Sequence, residues 1–340
     1  MTERTAPDDA ALAAGLVAWL GRTGDRTGVT VRSLTRPSAG YASETLFVDA
    51  AWTAGGAPVE RRLVVRTAPG GAGTFPDYDL TAQWRAQRSA AVAGVPVADP
   101  ELEEDPAWLG TPFSVMPRVD GHVVGGLPHR DRWLVTLDDA DRATVHRNLV
   151  AAVAGIHRAV VPPEAVVPHR DNGAELDHWE AYLRWSSHGS PVPTLVEALR
   201  WCRRHRPADE PPPELLWGDV RFENAVFGDD LAVRAVLDWD MTSVGAPEHD
   251  LAWLTALDLT MTALFGERAP GFPDRDGTAA LFGELTGRPP TDLAWYETLA
   301  MLRSAAVMTR IGYLRRDAGE PPMLPLEDNV ILDLLRARLD

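Results

Sequence analysis

There is no lysine in this chain. All 33 basic residues are arginine, so any site that needs a cation must use a planar guanidinium rather than a compact ammonium. Cysteine is nearly absent too. Cys202 stands alone, which excludes an internal disulfide, suits a reducing cytosol, and reads as a small, partly buried side chain rather than a catalytic thiol. Positive charge is scarce overall: 33 basic against 49 acidic residues leave a net charge of −16, and no run concentrates either sign. That balance argues against nucleic acid or an anionic membrane as a partner. Nor does any stretch approach the ~18 uncharged apolar residues of a membrane span. The apolar segment 10–20 follows Asp8 and Asp9, where a signal peptide would carry positive charge, so it is read as an amphipathic helix and a cytoplasmic location is expected. Two chemistries are missing as well. None of the 9 histidines pairs with another at metal-ligand spacing, and no Gly-x-Ser-x-Gly elbow supplies a hydrolase nucleophile.

What is present is a 340-residue chain with 45% apolar residues, long enough that two lobes are the default expectation. The rest is organised around 215–250. A short apolar run (Leu215, Leu216, Trp217) ends in Gly218-Asp219, Asn224 follows, and a second run (Val233, Ala235, Val236, Leu237) ends in Asp238. The pattern reads as strand, loop, strand, strand, with polar groups at the ends. Taken singly, Gly-Asp and Asn-Ala pairs beside short strands are ordinary turn residues. Taken together, they are the parts phosphoryl transfer needs. One carboxylate orients and deprotonates a hydroxyl, while an amide and a second carboxylate hold Mg²⁺ on the phosphates.

Asp219-Val-Arg221-Phe-Glu223-Asn224 has the layout of a kinase catalytic loop, and Asp238-Trp-Asp240 stands where a metal-binding Asp-Phe-Gly would stand. Here the chain resembles the aminoglycoside phosphotransferase-like (choline kinase-like) small-molecule kinases. It is most like the subgroup also found fused to acyl-CoA dehydrogenases, in which Trp-Gly-Asp-x-Arg-x-x-Asn and Asp-Trp-Glu are usual. The resemblance implies an α+β, bilobal, protein-kinase-like fold: a small antiparallel-sheet N-lobe over 1–116 and a mostly helical C-lobe over 117–340. It also implies ATP (or GTP) with Mg²⁺, and a small hydroxylated acceptor.

The remaining assignments follow from that frame. Strands are expected at 29–34, 45–51, 61–67 and 111–115, with a helix over 77–93. The turn between the first two strands (Ser38, Gly40, Ala42, Ser43) would lie as a lid over phosphates. Arg66 occupies the slot of the phosphate-pairing Lys, with a solvated strand-end charge as its plain alternative. Gln83, with Asp79 one turn earlier, stands where the family supplies that cation's acidic partner. The hinge is 116–121, where adenine would meet the backbone of Met116, Arg118 or Val119, since Pro117 has no N–H. Asp219 would be the base, and Asn224 and Asp238 the metal ligands. Asp240 would bind a second Mg²⁺ or cap a turn, and Arg221 would stabilise the phosphoryl group or pair with Glu223. Trp217 replaces the family's usual His and should hold the loop by packing. His157 is expected to satisfy the last carbonyls of its helix, and Asp250 to cap the next one while bracing the loop. Ala246-Pro247-Glu248 reads as a chance match to a kinase signature. The competing function is a catalytically inactive nucleotide-binding module, suggested by Trp217, Gln83 and the missing Lys. The acceptor stays open among aminoglycosides, hydroxy acids, hydroxyacyl thioesters and other metabolites.

Overall fold

The computed structural model describes residues 8–36, 44–69, 73–125, 127–162 and 166–339. The proposed phosphate lid, Ser38, Gly40, Ala42 and Ser43, lies outside them. The chain opens with helix α1 (Asp9–Gly21), capped by the Asp8 carboxylate on the Ala11 N–H at 2.7 Å. Leu12, Leu16, Trp19 and Leu20 recur at helical spacing and bury one face, as an amphipathic helix should. That face packs on an antiparallel sheet of β1 (Arg26–Thr35), β2 (Glu44–Ala54), β3 (Ala57–Thr67), β4 (Glu101–Glu103) and β5 (Phe113–Pro117), in the order β1-β2-β3-β5-β4. Gly55 and Gly56 both take positive φ, 57° and 79°, so a two-residue turn joins β2 to β3 and fixes the Ala54–Ala57 register. Alternate residues Leu46, Val48 and Ala50 then meet Leu63 and Val65 in a closed core.

Helix α2 (Leu80–Val92) starts later than the expected 77, because Asp79 caps it by accepting from the Ala82 N–H at 2.9 Å. Its buried Ala86 and Ala90 belong to the second, larger core rather than to the sheet's. That core is built by α3 (Asp139–His157), α4 (Asn172–Ser186), α5 (Pro193–Arg204), α6 (Glu248–Phe265), α7 (Arg275–Thr286), α8 (Leu293–Asp317) and α9 (Val330–Leu339). Two small antiparallel sheets are set into it. One pairs β6 (His122–Val123), β8 (Ala225–Phe227) and β9 (Val233–Val236); the other pairs β7 (Glu214–Leu216) with β10 (Ser243–Gly245). The architecture is therefore α+β, with an antiparallel sheet first and a helical remainder. The two small sheets hold the 215–250 stretch at the surface of the helical core, facing the end of β3.

Candidate active site

The loop after β7 is tied down at both ends. Gly218 has φ of 90°, and a Cβ there would run into the Met241 carbonyl, so only glycine fits. The fully buried Asp250 accepts the Trp217 N–H at 2.9 Å on one oxygen and the Gly218 N–H at 2.8 Å on the other. His157 Nε2 joins it at 3.0 Å. Asp250 thus braces the loop, as expected, but it does not cap α6: the helix begins at Glu248, and its capping position is Pro247 with no side-chain bond. His157 likewise departs from expectation, since its imidazole turns inward to Asp250 rather than to its helix's last carbonyls. Trp217 does more than pack. Its indole N–H donates to the Leu237 and Asp238 carbonyls at 2.8 and 3.1 Å, stitching the loop to the 238–240 turn.

Asp219 is brought against Asn224 as the spacing predicts. Asn224 Nδ2 donates to Asp219 Oδ2 at 2.8 Å and to the Asp219 carbonyl at 3.1 Å, leaving the amide oxygen as the acceptor end. Asp219 Oδ1 accepts the Trp253 indole N–H at 2.9 Å, a contact from α6 that sequence reading missed. The one signal for it was its place a single turn after Asp250. Arg221 places Nε 3.2 Å from Asp219 Oδ2 as an ion pair, with its N–H off the line of a hydrogen bond. Of the two roles foreseen for Arg221, pairing with Glu223 gives way to this contact. Burial raises the Asp219 carboxyl above the ordinary range; Arg221, Asn224 and Trp253 pull it down, while Asp238 pushes it further up.

Behind Trp253 lies a second unforeseen residue. The Arg303 guanidinium, 3% exposed, sits 4.9 Å over Trp253 and 5.1 Å over Trp179, with Glu175 at 3.7 Å. It also reaches the Gly218 carbonyl at 3.5 Å. Nothing in local sequence marked it, because it comes from mid-α8, 85 residues away.

Across the gap, Arg66 at the end of β3 donates to Asp238 Oδ1 at 3.2 Å and to Asp240 Oδ1 at 3.1 Å. The plain reading of Arg66 as a solvated charge is excluded. Its counter-charges are not on α2, where Gln83 stands, but on the 238–240 turn. Asp238 has φ of 54°, a left-handed conformation unusual for a non-glycine residue and costly unless enforced. Burial disfavours its charge, yet the Arg66 and Arg221 guanidiniums hold the carboxyl below its usual value. Asp240 goes the other way. Burial pushes it up to about 7, against the pull of Arg66 and with Asp238 and Asp219 adding to the rise. One of its oxygens, Oδ2, is buried without a hydrogen bond of good geometry among the described residues.

At the hinge the Arg118 N–H is already spent, donating to the Arg62 carbonyl at 2.8 Å and extending the β3–β5 ladder. That corrects the expectation of Arg118 as a free donor. Met116 pairs with Val64 in the same register, and its side chain is buried. Because ladder bonds alternate, residue 117 faces away from β3, and Pro117 has no N–H to offer on that side.

A cation on a sheet strand reaching two carboxylates, beside an Asp–Asn loop on a helical base, defines a kinase-like phosphotransferase. Comparison with known proteins agrees, and the chain belongs to the APH phosphotransferase enzyme family, matched over residues 33–292. Acyl-CoA dehydrogenase family member 10 of Mus musculus is 26% identical over 278 residues, or 77% of this chain, which spans about a quarter (25%) of that relative. A Ralstonia eutropha structure, assigned by inference as an aminoglycoside phosphotransferase, superposes with a TM-score of 0.68 at 21% identity, covering 96% of this chain and 95% of that one. A thermostable mutant of aminoglycoside phosphotransferase APH(4)-Ia, solved with ADP and hygromycin B, gives 0.55 at 15% identity, covering 96% and 98%. The kinase-like, two-part fold is thereby established.

Proposed function

We propose that this chain is an ATP- and Mg²⁺-dependent O-phosphotransferase acting on a hydroxyl group of a small molecule. In this reading 1–116 form the nucleotide-covering half, and 117–340 form the hinge, the reactive loops and the acceptor side. The observation that carries it is the convergence of Arg66, Asp238 and Asp240 within 3.2 Å, beside an Asp219 joined to Asn224 at 2.8 Å.

The donor set suits Mg²⁺. Asp238, Asp240 and the Asn224 amide supply hard oxygens with no sulfur or imidazole among them, and Asp240 Oδ2 is buried without a hydrogen bond of good geometry among the described residues. When bound, the metal would supply charge neutralisation on the transferring phosphates. The protein's own groups do the rest. Asp219, made more basic by burial, accepts the proton of the acceptor hydroxyl, and its two oxygens are aimed by Trp253 and Asn224. Arg221, half-exposed at the same carboxylate, is placed to meet charge on the phosphoryl oxygens. Arg66 is placed to pair with phosphate oxygens, and the Asp238 and Asp240 carboxylates it now bridges are the groups that would hold the metal.

A second reading, a nucleotide-binding module without transfer activity, is favoured by one feature: Arg66 covers both carboxylates a metal would need. A ³¹P-monitored screen of hydroxylated metabolites and aminoglycosides with Mg-ATP separates the two. Transfer to any hydroxyl supports the kinase reading. A thermal shift with ATP, but no phosphorylated product and no phosphate release, supports the binding module.

A further inference from the structure

Arg303 carries a charge where a charge is expensive. It lies in mid-α8, and burial draws its pKa below the ordinary guanidinium value. A buried arginine kept only to tie helices together would fork onto a carboxylate with both arms. This one does not. Its NH1 stands 3.7 Å from Glu175 Oε1, an oxygen already taken by the Trp179 indole N–H at 2.8 Å, and its Nε has no hydrogen-bond partner among the described residues. Glu175 also has a second counter-charge, with Arg170 3.6 Å from its other oxygen. What the Arg303 guanidinium meets instead is aromatic, the rings of Trp179 and Trp253, together with the Gly218 carbonyl.

Two of those contacts lead straight to the reactive loop. Trp253 donates its indole N–H to Asp219 Oδ1 at 2.9 Å, and Gly218 precedes Asp219 in the chain. One turn before Trp253 on α6, Asp250 takes the Trp217 and Gly218 N–H groups. Helix α6 thus grips both the backbone of the loop and its carboxylate, and Arg303 backs the second grip. A cation over an indole draws π density towards itself and leaves the N–H edge more positive, so the bond to Asp219 is strengthened as well as aimed. A carboxylate free to turn would lose its line to an incoming hydroxyl. That loss falls on the rate rather than on nucleotide binding.

We propose that Arg303 is a positioning residue for phosphoryl transfer, fixing the rotation of the Asp219 carboxylate by way of the Trp253 indole. This rests on the transfer reading above, in which the hydroxyl oxygen bonds to the γ-phosphorus, the bond from that phosphorus to the ADP oxygen breaks, and the hydroxyl proton passes to Asp219.

Phosphate release from Mg-ATP, with water as the accepting hydroxyl, reads the linkage in a double-substitution cycle. Trp253→Phe keeps an aromatic ring but loses the N–H, and kcat should fall roughly 10- to 100-fold, the worth of a hydrogen bond to a charged group. Arg303→Gln should lower kcat about 3- to 30-fold with the KM for Mg-ATP unchanged. Arg303→Lys, which keeps a cation without the planar face, should recover part of that loss. Once Trp253→Phe is in place, Arg303→Gln should have almost no further effect. A second readout is the Trp253 indole N–H resonance, identified by its disappearance in Trp253→Phe, which should move upfield in Arg303→Gln and in Asp219→Asn. If Arg303→Gln does not fold, Arg303→Lys replaces it in both measurements. Losses that multiply across the cycle, a raised KM in place of a lowered kcat, or a resonance indifferent to Arg303 would each overturn the inference. If wild type forms no phosphorylated product and releases no phosphate, while the resonance still moves with Arg303, the linkage stands and the transferase reading fails instead.

Discussion

The two loops that meet at the site are held in opposite ways. The 217–224 loop is fastened from below by neutral and charged hydrogen bonds that all arise within the helical half: Asp250 to two backbone N–H groups, Trp253 and Asn224 to Asp219, Trp217 to the next turn. The 238–240 turn instead carries two carboxylates that are balanced chiefly from the sheet half, by Arg66. The first arrangement is preorganised and should stay in place whatever binds. The second is electrostatically short of positive charge, and so should answer to metal, nucleotide and proton. Removing parts from each side should therefore give effects of different kinds.

The largest effect should come from the preorganised side. Asp219→Asn keeps the shape and the Trp253 contact but removes the proton acceptor, so turnover should fall roughly 10²- to 10⁴-fold with nucleotide affinity nearly kept. Single-turnover rates beside calorimetric titration would check it; retained turnover would sink the assignment of Asp219 as base. Asp238→Ala should do the reverse, sparing the loop but abolishing Mg²⁺-dependent ATP binding in the same titration.

Next comes the brace. Asp250→Ala strips partners from the Trp217 and Gly218 N–H groups and from His157, all buried, and should cost about 3–5 kcal/mol of stability. Urea midpoints would measure that loss. Arg66→Gln takes the counter-charge from Asp238, 28% exposed, and from the buried Asp240, which can answer by holding a proton, so it should shift the midpoint less. If the two variants lose similar stability, the contrast between the loops is wrong.

That contrast was only half legible in the sequence. The chemistry-bearing residues stood out because Asp219, Asn224 and Asp238 sit at strand ends with fixed spacing, and the absence of lysine assigned the cation to an arginine. The strands at 29–34, 45–51, 61–67 and 111–115 and the helical remainder were expected from the frame that the resemblance implies. What spacing could not show was which partner each group takes across the fold. The family supplies the counter-charge of Arg66 from α2, but Gln83 has no charge to offer, which left the partner open; it stands at 238 and 240. Trp253 and Arg303 reach the loop through contacts 34 and 85 residues distant in the chain. The spent N–H of Arg118 depends on strand register, which one strand's sequence does not fix.

The comparison also predicts opposite responses to pH. Beside the brace, burial lowers His249 to about 4, where its Nε2 meets the Asn172 amide oxygen at 3.0 Å. Burial alone does the same to His146. Both are neutral when folded but take up protons near pH 6.5 when unfolded. Their contribution is whole above that value and is lost as pH falls towards 4, at about 1.4 kcal/mol for each unit of displacement. Melting temperatures should drop through that window, and His249→Gln should shallow the drop.

The smallest and most telling effect is on the turn. Asp240 is pushed up to about 7, so between its ordinary value near 4 and pH 7 the folded protein keeps a proton that the unfolded chain releases. Its contribution is therefore full below pH 4 and is lost as pH rises to 7, the reverse of the histidines. Asp240→Asn should remove that slope and stabilise the metal-free protein at pH 7–8. A divalent cation competes for the same oxygens, so the thermal shift produced by Mg²⁺ should grow from pH 5.5 to 7.5 in the wild type and lose that dependence in Asp240→Asn. A Mg²⁺ shift that is flat with pH in both proteins would mean that Arg66 alone satisfies the turn, and that the metal, if it binds, does so elsewhere.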